Sequence, residues 1–227
     1  MFEGFSDETI DFLWDLRFNN ERPWFNAHKE QYQRVLWEPF RALAGEVYDE
    51  FTARHPKEIL NLRVSRIYRD ARRLFGRGPY KDHLWFSLAI DPHEWEGYPV
   101  FWFEINPERY MFGLGTYSPH PELMERFRRE LDGRPRAFVT LANRLEKQDR
   151  FVLEGEEYAR PKGTARPPLD KWYNRKNLDL VCAREPDAML KSPALKAELL
   201  DGFEFLYPYY KWFSRLAAGV NQGSAQF

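Results

Sequence analysis

Three short aromatic-rich runs in the middle of the chain constrain its fold most. They are LWFSLAI at 84–90, VFWFEI at 100–105 and YMFGLG at 110–115. Aromatic and β-branched residues favour strands, and the Asn-Pro-Glu-Arg sequence at 106–109 is typical of a turn. The sequence therefore predicts a β-hairpin within an aromatic-rich, mainly antiparallel sheet.

Apolar residues at helical spacing predict helices on both sides of these strands in the sequence. A first helix follows Ser6, and a second runs from Pro23 to about Phe51, where Pro39 should kink or split it. Another helix, kinked near Pro208, is expected towards the C-terminus. Helices, then strands, then mixed elements predict a single α+β domain over residues 1–218, with residues 219–227 as a flexible tail.

The charge balance narrows the classes of function. The chain has 34 Lys and Arg against 35 Asp and Glu, a formal net charge of -1. General duplex nucleic-acid binders normally carry a basic excess, so that role is disfavoured. No run approaches the roughly 20 apolar residues that span a bilayer, and the first residues do not resemble a signal peptide. We expect a cytoplasmic protein that makes no contact with a membrane.

Motifs for metals and cofactors are missing from the sequence. None of the five histidines forms a His-x-x-x-His pair, and Cys182 is the only cysteine. Gly113-Leu114-Gly115 lacks the third glycine and the βαβ context of a dinucleotide-binding loop. The sequence therefore predicts no metal site and no cofactor.

The stretch LRVSRIYRDARRLFGRGPYKDH at 62–83 is the strongest candidate for a site. Arginine recurs at every third position from 63 to 72, a spacing that gives a helix no common arginine face. A strand would instead put Arg66 in the middle of a mainly apolar face with Leu62, Val64 and Tyr68. There it would need a carboxylate, a group of carbonyls or a bound anion, because an unpaired buried charge is costly.

Two interpretations of this stretch stay open. In the first, Asp70 and Glu104 pair with the arginines in a network that only fixes the sheet. In the second, Arg66, Arg69 and Arg72 hold a small anionic ligand that bears a phosphate or a carboxylate, since guanidinium groups bind such oxygens in a bidentate way. The flexible loop that carries Tyr80 and Lys81 would then close over the ligand. Asp70 and Glu104 would be the candidate general bases for hydrolysis or transfer at a phosphate or acyl group.

A second basic stretch, at 162–176, mixes lysine and arginine with Trp172 and Tyr173. Tyr173 and Lys176 are further candidate ligand contacts if the two basic stretches converge. Basic residues mixed with aromatic ones also suit single-stranded nucleic acid. The alternative to a ligand-binding protein is therefore a module that binds nucleic acid or another protein through 62–83 and 162–176, and a purely structural protein is a third interpretation.

These residues also resemble a known family. LRFNNERPWFNAHKEQY, RIYRDARRLFGRGPYKDHLWF, YMFGLGTYSPHPELMERFR and PKGTARPPLDKWYNRKNL follow one another in the order and spacing seen in the domain of unknown function 2461 family, mainly bacterial conserved hypothetical proteins. The similarity covers roughly residues 2 to 215. It places Arg69, Asp70 and Arg72 on the family's Arg-Asp-x-Arg-Phe stretch, and Pro79, Tyr80 and Lys81 on its Pro-Tyr-Lys. The resemblance implies a single α+β domain and no established reaction, cofactor or partner.

Overall fold

Helices lie at both ends of the chain, and in its described part the six strands lie between them together with three further helices. The structure is a computed structural model that describes residues 1–70, 72, 74, 76–90, 97–116, 119 and 121–224, the stretch 219–224 by its backbone alone. Its helices are α1 (Asp7–Phe18), α2 (Arg22–Ala27), α3 (Lys29–Tyr32), α4 (Glu38–Arg54), α5 (Pro121–Gly133), α6 (Arg136–Glu146), α7 (Asp170–Tyr173) and α8 (Ala194–Ser224). Its strands are β1 (Asn61–Val64), β2 (Leu84–Ala89), β3 (Val100–Ile105), β4 (Tyr110–Gly115), β5 (Val152–Glu154) and β6 (Asp179–Arg184).

The six strands form one antiparallel sheet in the order β1-β2-β3-β4-β6-β5. The predicted hairpin is confirmed as β3 and β4, and the backbone N–H of Asn106 donates to the carbonyl of Arg109 across the turn (3.0 Å). At the other edge, Val152 of β5 lies opposite Val181 of β6, and Glu154 lies opposite Asp179. The predicted α+β class, with an antiparallel aromatic-rich sheet and a C-terminal helix, is confirmed.

The second predicted helix does not break at Pro39 but passes through a π-helical turn just before it, and between Arg22 and Arg54 the helical backbone is interrupted at His28. Residues 33–37 form a π-helical turn just before α4, and Pro39 lies in the first turn of α4. Because proline has no N–H, it cannot donate to the carbonyl of Val35 four residues earlier. The buried hydroxyl of Thr9 donates to that carbonyl instead (2.7 Å). The carbonyl to which Pro39 cannot donate is thus satisfied by a side chain from α1.

The chain divides into two compact units. The first comprises Met1–Leu88, Trp102–Phe112 and Ala183–Asp201. Its core contains a cluster of fully buried phenylalanines, in which Phe40 of α4 contacts Phe86 of β2 and Phe103 of β3 with ring centroids 5.8 and 5.9 Å apart. Helix α4 thereby buries its apolar face against the aromatic strands β2 and β3.

The second unit comprises Ala89–Phe101, Gly113–Cys182 and Gly202–Phe227. Its core is also aromatic: Phe138 of α6 lies 4.8 Å from Trp172 and 4.6 Å from Trp212 between ring centroids. Gly113 has a packing role here, because a Cβ at that position would run into the carbonyl oxygen of Leu180 on β6. This explains the glycine differently from a nucleotide-binding loop.

The C-terminal helix is longer than the sequence suggested. It continues through Pro208 to Ser224, into the stretch expected to be a tail, and residues 225–227 lie outside the described residues. In the part of the chain that the structure describes, no helix combines the length and the apolar character needed to cross a membrane.

Candidate functional site

Two segments of the first unit, 67–69 and 79–81, are joined by a short antiparallel bridge. The N–H of Arg69 donates to the carbonyl of Pro79 (2.8 Å), and the N–H of Lys81 donates to the carbonyl of Ile67 (2.7 Å). These bonds pair Tyr68 with Tyr80. The loop between them is therefore closed at its base, and the side chains of Arg69 and Lys81 start from fixed backbone positions.

Asn20, just after α1, holds this bridge from the other side. Its amide Nδ2 donates to the carbonyl of Tyr80 (3.0 Å), and its Oδ1 accepts from the N–H of Tyr80 (2.9 Å). Gly78 is required for this approach, because a Cβ there would run into both the side chain and the carbonyl oxygen of Asn20. The segment that the sequence suggested as a flexible lid is thus tied at Gly78 and Tyr80 to the end of α1.

A cavity of about 860 Å³ opens beside the bridge. All of its described lining residues belong to the first unit. We call it the arginine cleft, and the described residues that line it are Arg63, Val64, Ser65, Arg66, Tyr68, Arg69, Asp70, Arg72, Arg77, Lys81 and Trp85.

Cations dominate the arginine cleft. Its described lining contains five arginines and one lysine, and a single carboxylate, Asp70. Asp70 is already engaged, because Arg72 binds it in a bidentate way through Nε (3.0 Å) and Nη2 (2.7 Å). Arg66 is exposed and makes no hydrogen bond or ion pair with any described residue. The cleft therefore has a strong positive excess that its own lining does not neutralise.

Trp85 of β2 forms an aromatic surface under two of these cations. The guanidinium carbon of Arg63 lies 5.4 Å from the centre of its ring, and Nζ of Lys81 lies 5.9 Å from it. The backbone of Trp85 is fixed by Ser65, whose Oγ accepts from the Trp85 N–H (2.9 Å) and whose own N–H donates to the Trp85 carbonyl (2.8 Å). The distances from Arg63 and Lys81 to the ring of Trp85 are within the range of cation–π attraction.

The rear of the cleft is anchored through Arg69. Its Nε donates to the carbonyl of Tyr80 (2.8 Å), and its Nη2 lies 3.7 Å from Oδ1 of Asp82. Burial lowers the pKa of Arg69, with Asp82 opposing that shift. The pKa of Asp82 is held well below its usual range, mainly by its hydrogen bond with His83, and also by Arg17, whose Nε donates to it (2.6 Å). Among the cations of the cleft, Arg69 is thus held in place by Tyr80 and Asp82.

A comparison with protein families matches residues 8–212 to the family of conserved hypothetical proteins DUF2461. The chain belongs to this family. No curated protein matches the chain. The resemblance stated from the sequence is therefore confirmed, and the matched segment includes every residue of the arginine cleft.

In this DUF2461 protein, the predicted position of Arg66 on an apolar face is wrong. Strand β1 ends at Val64, and the alternation of inward and outward side chains changes phase there: Ser65 and Ile67 are buried, whereas Arg66 and Tyr68 are exposed. A shift of one residue moves every following side chain to the other face. Arg66 consequently faces the cleft and solvent and is not a buried charge in need of a carboxylate.

The structural network expected between arginines and carboxylates is only partly present. Asp70 does bind Arg72, but this pair lies at the surface, where the Arg72 side chain is 88% exposed, and such pairs contribute little to stability. Glu104 forms no ion pair with any described arginine. Its negative charge acts on Lys81, whose pKa it raises. The described arginines of 62–83 are therefore not held mainly by carboxylates of the sheet.

The sequence suggested that Tyr80 contacts the ligand and that Tyr68 lies on an apolar face, whereas the structure buries Tyr80 and exposes Tyr68. Tyr80 is 3% exposed, stacks on Phe25 with ring centroids 4.1 Å apart, and is not among the described residues that line the cleft. Tyr68, by contrast, is 54% exposed and lines the cleft. The structure thus brings Arg66, Arg69, Arg72, Asp70 and Lys81 together and places Tyr80 behind them as an anchor.

The other two candidate residues belong to the second unit. The hydroxyl of Tyr173 donates to Asp132 (2.9 Å), and Tyr173 is buried. Nζ of Lys176 binds Glu156 (2.9 Å). Neither residue is among the described lining of the arginine cleft, and both have local structural partners.

Sequence reasoning omitted Arg77 and Trp85 from the candidate site. Arg77 lies in the Gly-Arg-Gly turn, and Trp85 is the second residue of a strand that starts directly after the basic stretch. The signal for Trp85 was available, because alternation along β2 puts its side chain on the face opposite the buried Phe86. Among the described residues, no group of His, Cys, Asp or Glu is placed to hold a metal ion.

Proposed function

We propose that this protein binds a small anionic ligand, bearing a phosphate or a carboxylate, in the arginine cleft. The observation that carries the proposal is the excess of positive charge: the described lining has six cations and one carboxylate, that carboxylate is bound to Arg72, and Asp82 outside the lining pairs with Arg69. Like charges held close together repel one another, and an anion that binds between them relieves the repulsion.

The chemistry of the lining favours oxyanions over other anions. Guanidinium groups match the oxygens of phosphate and carboxylate with two parallel hydrogen bonds. Arg66 donates to no described residue, and Arg63 lies over the ring of Trp85 without an ion pair to a described residue. Tyr68 and Trp85 add aromatic surface that could contact an apolar or planar part of the same ligand. The cleft thus supports a ligand with an anionic head and a less polar body.

The alternative function, a module that binds nucleic acid or a protein through both basic stretches, has less support. The aromatic residues of 162–176 that would stack on bases are buried, with Trp172 at 1% and Tyr173 at 6% exposure. Three of the basic residues there have acidic partners, because Lys171 binds Glu146, Lys176 binds Glu156, and Arg175 lies 3.7 Å from Glu157. Stacking on single-stranded nucleic acid needs accessible rings, so the small-ligand proposal is preferred.

Thermal unfolding with a panel of ligands tests the proposal. The panel contains inorganic phosphate, nucleotides, sugar phosphates, carboxylates and a short single-stranded DNA. A ligand at 100 times its dissociation constant adds about 2.7 kcal/mol to the free energy of unfolding. We expect such a gain in the wild type and its loss in Arg66→Ala, which should itself fold normally because Arg66 is exposed and makes no described contact.

Arg129→Ala is the matched control, because Arg129 is an exposed arginine of α5 in the second unit and forms no ion pair with a described residue. This variant should keep the full stabilisation by ligand. Equal loss in both variants would indicate a general charge effect, and no stabilisation by any anion in the wild type would refute the proposal.

A further inference from the structure

Lys81 differs from most lysines of the chain in its surroundings. Several others, including Lys171, Lys176 and Lys191, are paired with carboxylates. Lys81 is half-buried, lines the arginine cleft and forms no ion pair with a described residue. Its backbone is fixed by the hydrogen bond to Ile67 (2.7 Å), so its amine can reach only a limited part of the cleft.

The groups around Lys81 favour its neutral form. Burial lowers its pKa most, and the positive charges of Arg69 and Arg63 lower it further. Glu104 acts in the opposite direction, and the ring of Trp85 at 5.9 Å also favours the ammonium form. The pKa of Lys81 is nevertheless lowered overall, so a larger fraction of Lys81 is free amine than of an exposed lysine. Desolvation and cationic neighbours are the means by which proteins make a lysine nucleophilic.

We propose that Lys81 forms a reversible imine with a ligand that carries an aldehyde or ketone beside its anionic group. This inference rests on the function proposed above, because the cleft's arginines would hold the anionic group. The ligand's carbonyl carbon would then lie within reach of the amine.

The step is balanced without an oxidant or a reductant. The lone pair of Nζ attacks the carbonyl carbon, and the C=O π electrons move to oxygen, which takes a proton to give a carbinolamine. The hydroxyl group then leaves as water while nitrogen forms the C=N bond and loses its remaining proton. The two hydrogens of the amine thus leave in one molecule of water, and the reverse reaction releases the ligand unchanged. Neighbouring cations would favour the developing negative charge on oxygen.

Trapping with borohydride tests the proposal directly. The full-length protein is incubated with pyridoxal 5′-phosphate, which carries both an aldehyde and a phosphate, then reduced with borohydride and mapped by peptide mass spectrometry. We expect labelling of Lys81 to be at least roughly tenfold faster than labelling of exposed Lys57, because the arginines concentrate the aldehyde at the amine. Pyridoxal without the phosphate should lose most of this preference, and inorganic phosphate should slow the labelling of Lys81.

Two variants keep the result interpretable. Lys81→Arg retains the positive charge and removes the amine, so it should lose the fast adduct and still be stabilised by inorganic phosphate. Lys57→Arg, which removes an exposed amine outside the cleft, should leave the rate of labelling of Lys81 unchanged. In the wild type, labelling of Lys81 should rise at lower pH than labelling of the exposed lysines, a difference that a purely structural lysine would not show.

The outcomes separate this proposal from the one it rests on. Stabilisation by phosphate combined with adducts scattered over exposed lysines would overturn the imine and leave the anion site intact. Neither stabilisation nor a Lys81 adduct would overturn both. Equal labelling of Lys81 by pyridoxal and by its phosphate would overturn the role of the arginines and, with it, the anionic carbonyl class of ligand.

Discussion

At the scale of single residues, polar side chains in this protein form hydrogen bonds with backbone groups of distant segments. Thr9 supplies the donor that Pro39 cannot give to Val35, and Asn20 supplies both a donor and an acceptor to Tyr80. A buried carbonyl without a partner costs about 1–3 kcal/mol. Such residues therefore matter for stability although they do not enlarge the apolar core.

Thr9→Val tests this at the π-helical turn between α3 and α4. Valine keeps the shape of threonine but cannot donate to the Val35 carbonyl or accept from the N–H of Ser6 (3.1 Å). We expect the free energy of unfolding to fall by about 2 kcal/mol, measured by chemical denaturation. Thr9→Ser keeps the hydroxyl and loses only a methyl group, so it should cost about 1 kcal/mol. A valine variant as stable as the serine variant would contradict the proposed role of the hydroxyl.

Asp179 of β6 should make stability depend on pH. Burial raises its pKa from 3.8 to about 6, with Glu154 on β5 adding to the shift, while the amide of Asn177 donates to it (2.7 Å) and opposes it. Below pH 3.8 the group is neutral in the folded and the unfolded chain. As pH rises through about 6 the folded protein must ionise a buried carboxyl, so the stability that protonation provided is lost.

Asp179→Asn removes this loss and can still accept from Asn177. We expect it to raise the free energy of unfolding by about 1–2 kcal/mol at pH 8 and to have little effect near pH 3.5, measured by denaturant unfolding across that range. Glu154→Gln, at an exposed position on the facing strand, should have a smaller effect. A gain for Asp179→Asn that is the same at both pH values would show that ionisation is not its cause.

At the scale of elements, the sequence was informative where a regular pattern ran unbroken and failed where it changed phase. The hairpin of β3 and β4 and the altered helix geometry just before Pro39 follow from turn and proline chemistry that acts locally. The face of Arg66 could not be obtained in this way, because nothing in LRVSRIY shows that the strand ends at Val64. Nor does the sequence show that Tyr80 packs on Phe25, a residue 55 positions away in the chain.

The connection between α1 and the cleft depends on Gly78. A Cβ at this position would run into Asn20, so Gly78→Ala should displace the bridge of Tyr68 with Tyr80 and cost about 1–3 kcal/mol of stability. It should also weaken the stabilisation by ligand, because Arg69 and Lys81 start from that bridge. The measurement is thermal unfolding with and without the best anion of the panel.

Gly45→Ala is the control for this substitution. Gly45 lies within α4 with open space around its Cβ position, so alanine should stabilise the helix by about 0.5–1 kcal/mol and leave ligand binding unchanged. If Gly78→Ala is as stable as the wild type and binds normally, the close approach of Asn20 does not control the cleft.

At the scale of the whole molecule, the charge is unevenly distributed. The chain carries a net charge of -1, yet the described lining of one cleft has six cations and one carboxylate. The rest of the chain therefore has an acidic excess. A field of this kind attracts a compact anion into the cleft and repels the parts of a long polyanion that extend beyond it.

This distribution predicts that affinity does not grow with the length of a phosphate-bearing ligand. A nucleoside monophosphate and single-stranded oligonucleotides of increasing length should bind with similar dissociation constants, measured by calorimetry at one salt concentration. A protein that neutralises many phosphates along a strand shows the opposite, with affinity that rises with length and falls steeply with salt. An affinity that increases with each added nucleotide would therefore favour the interaction module over the small-ligand site. If Lys176→Ala then reduced the affinity for the longest strand alone, the two basic stretches would have to act together, and the cleft would be one end of a longer binding surface.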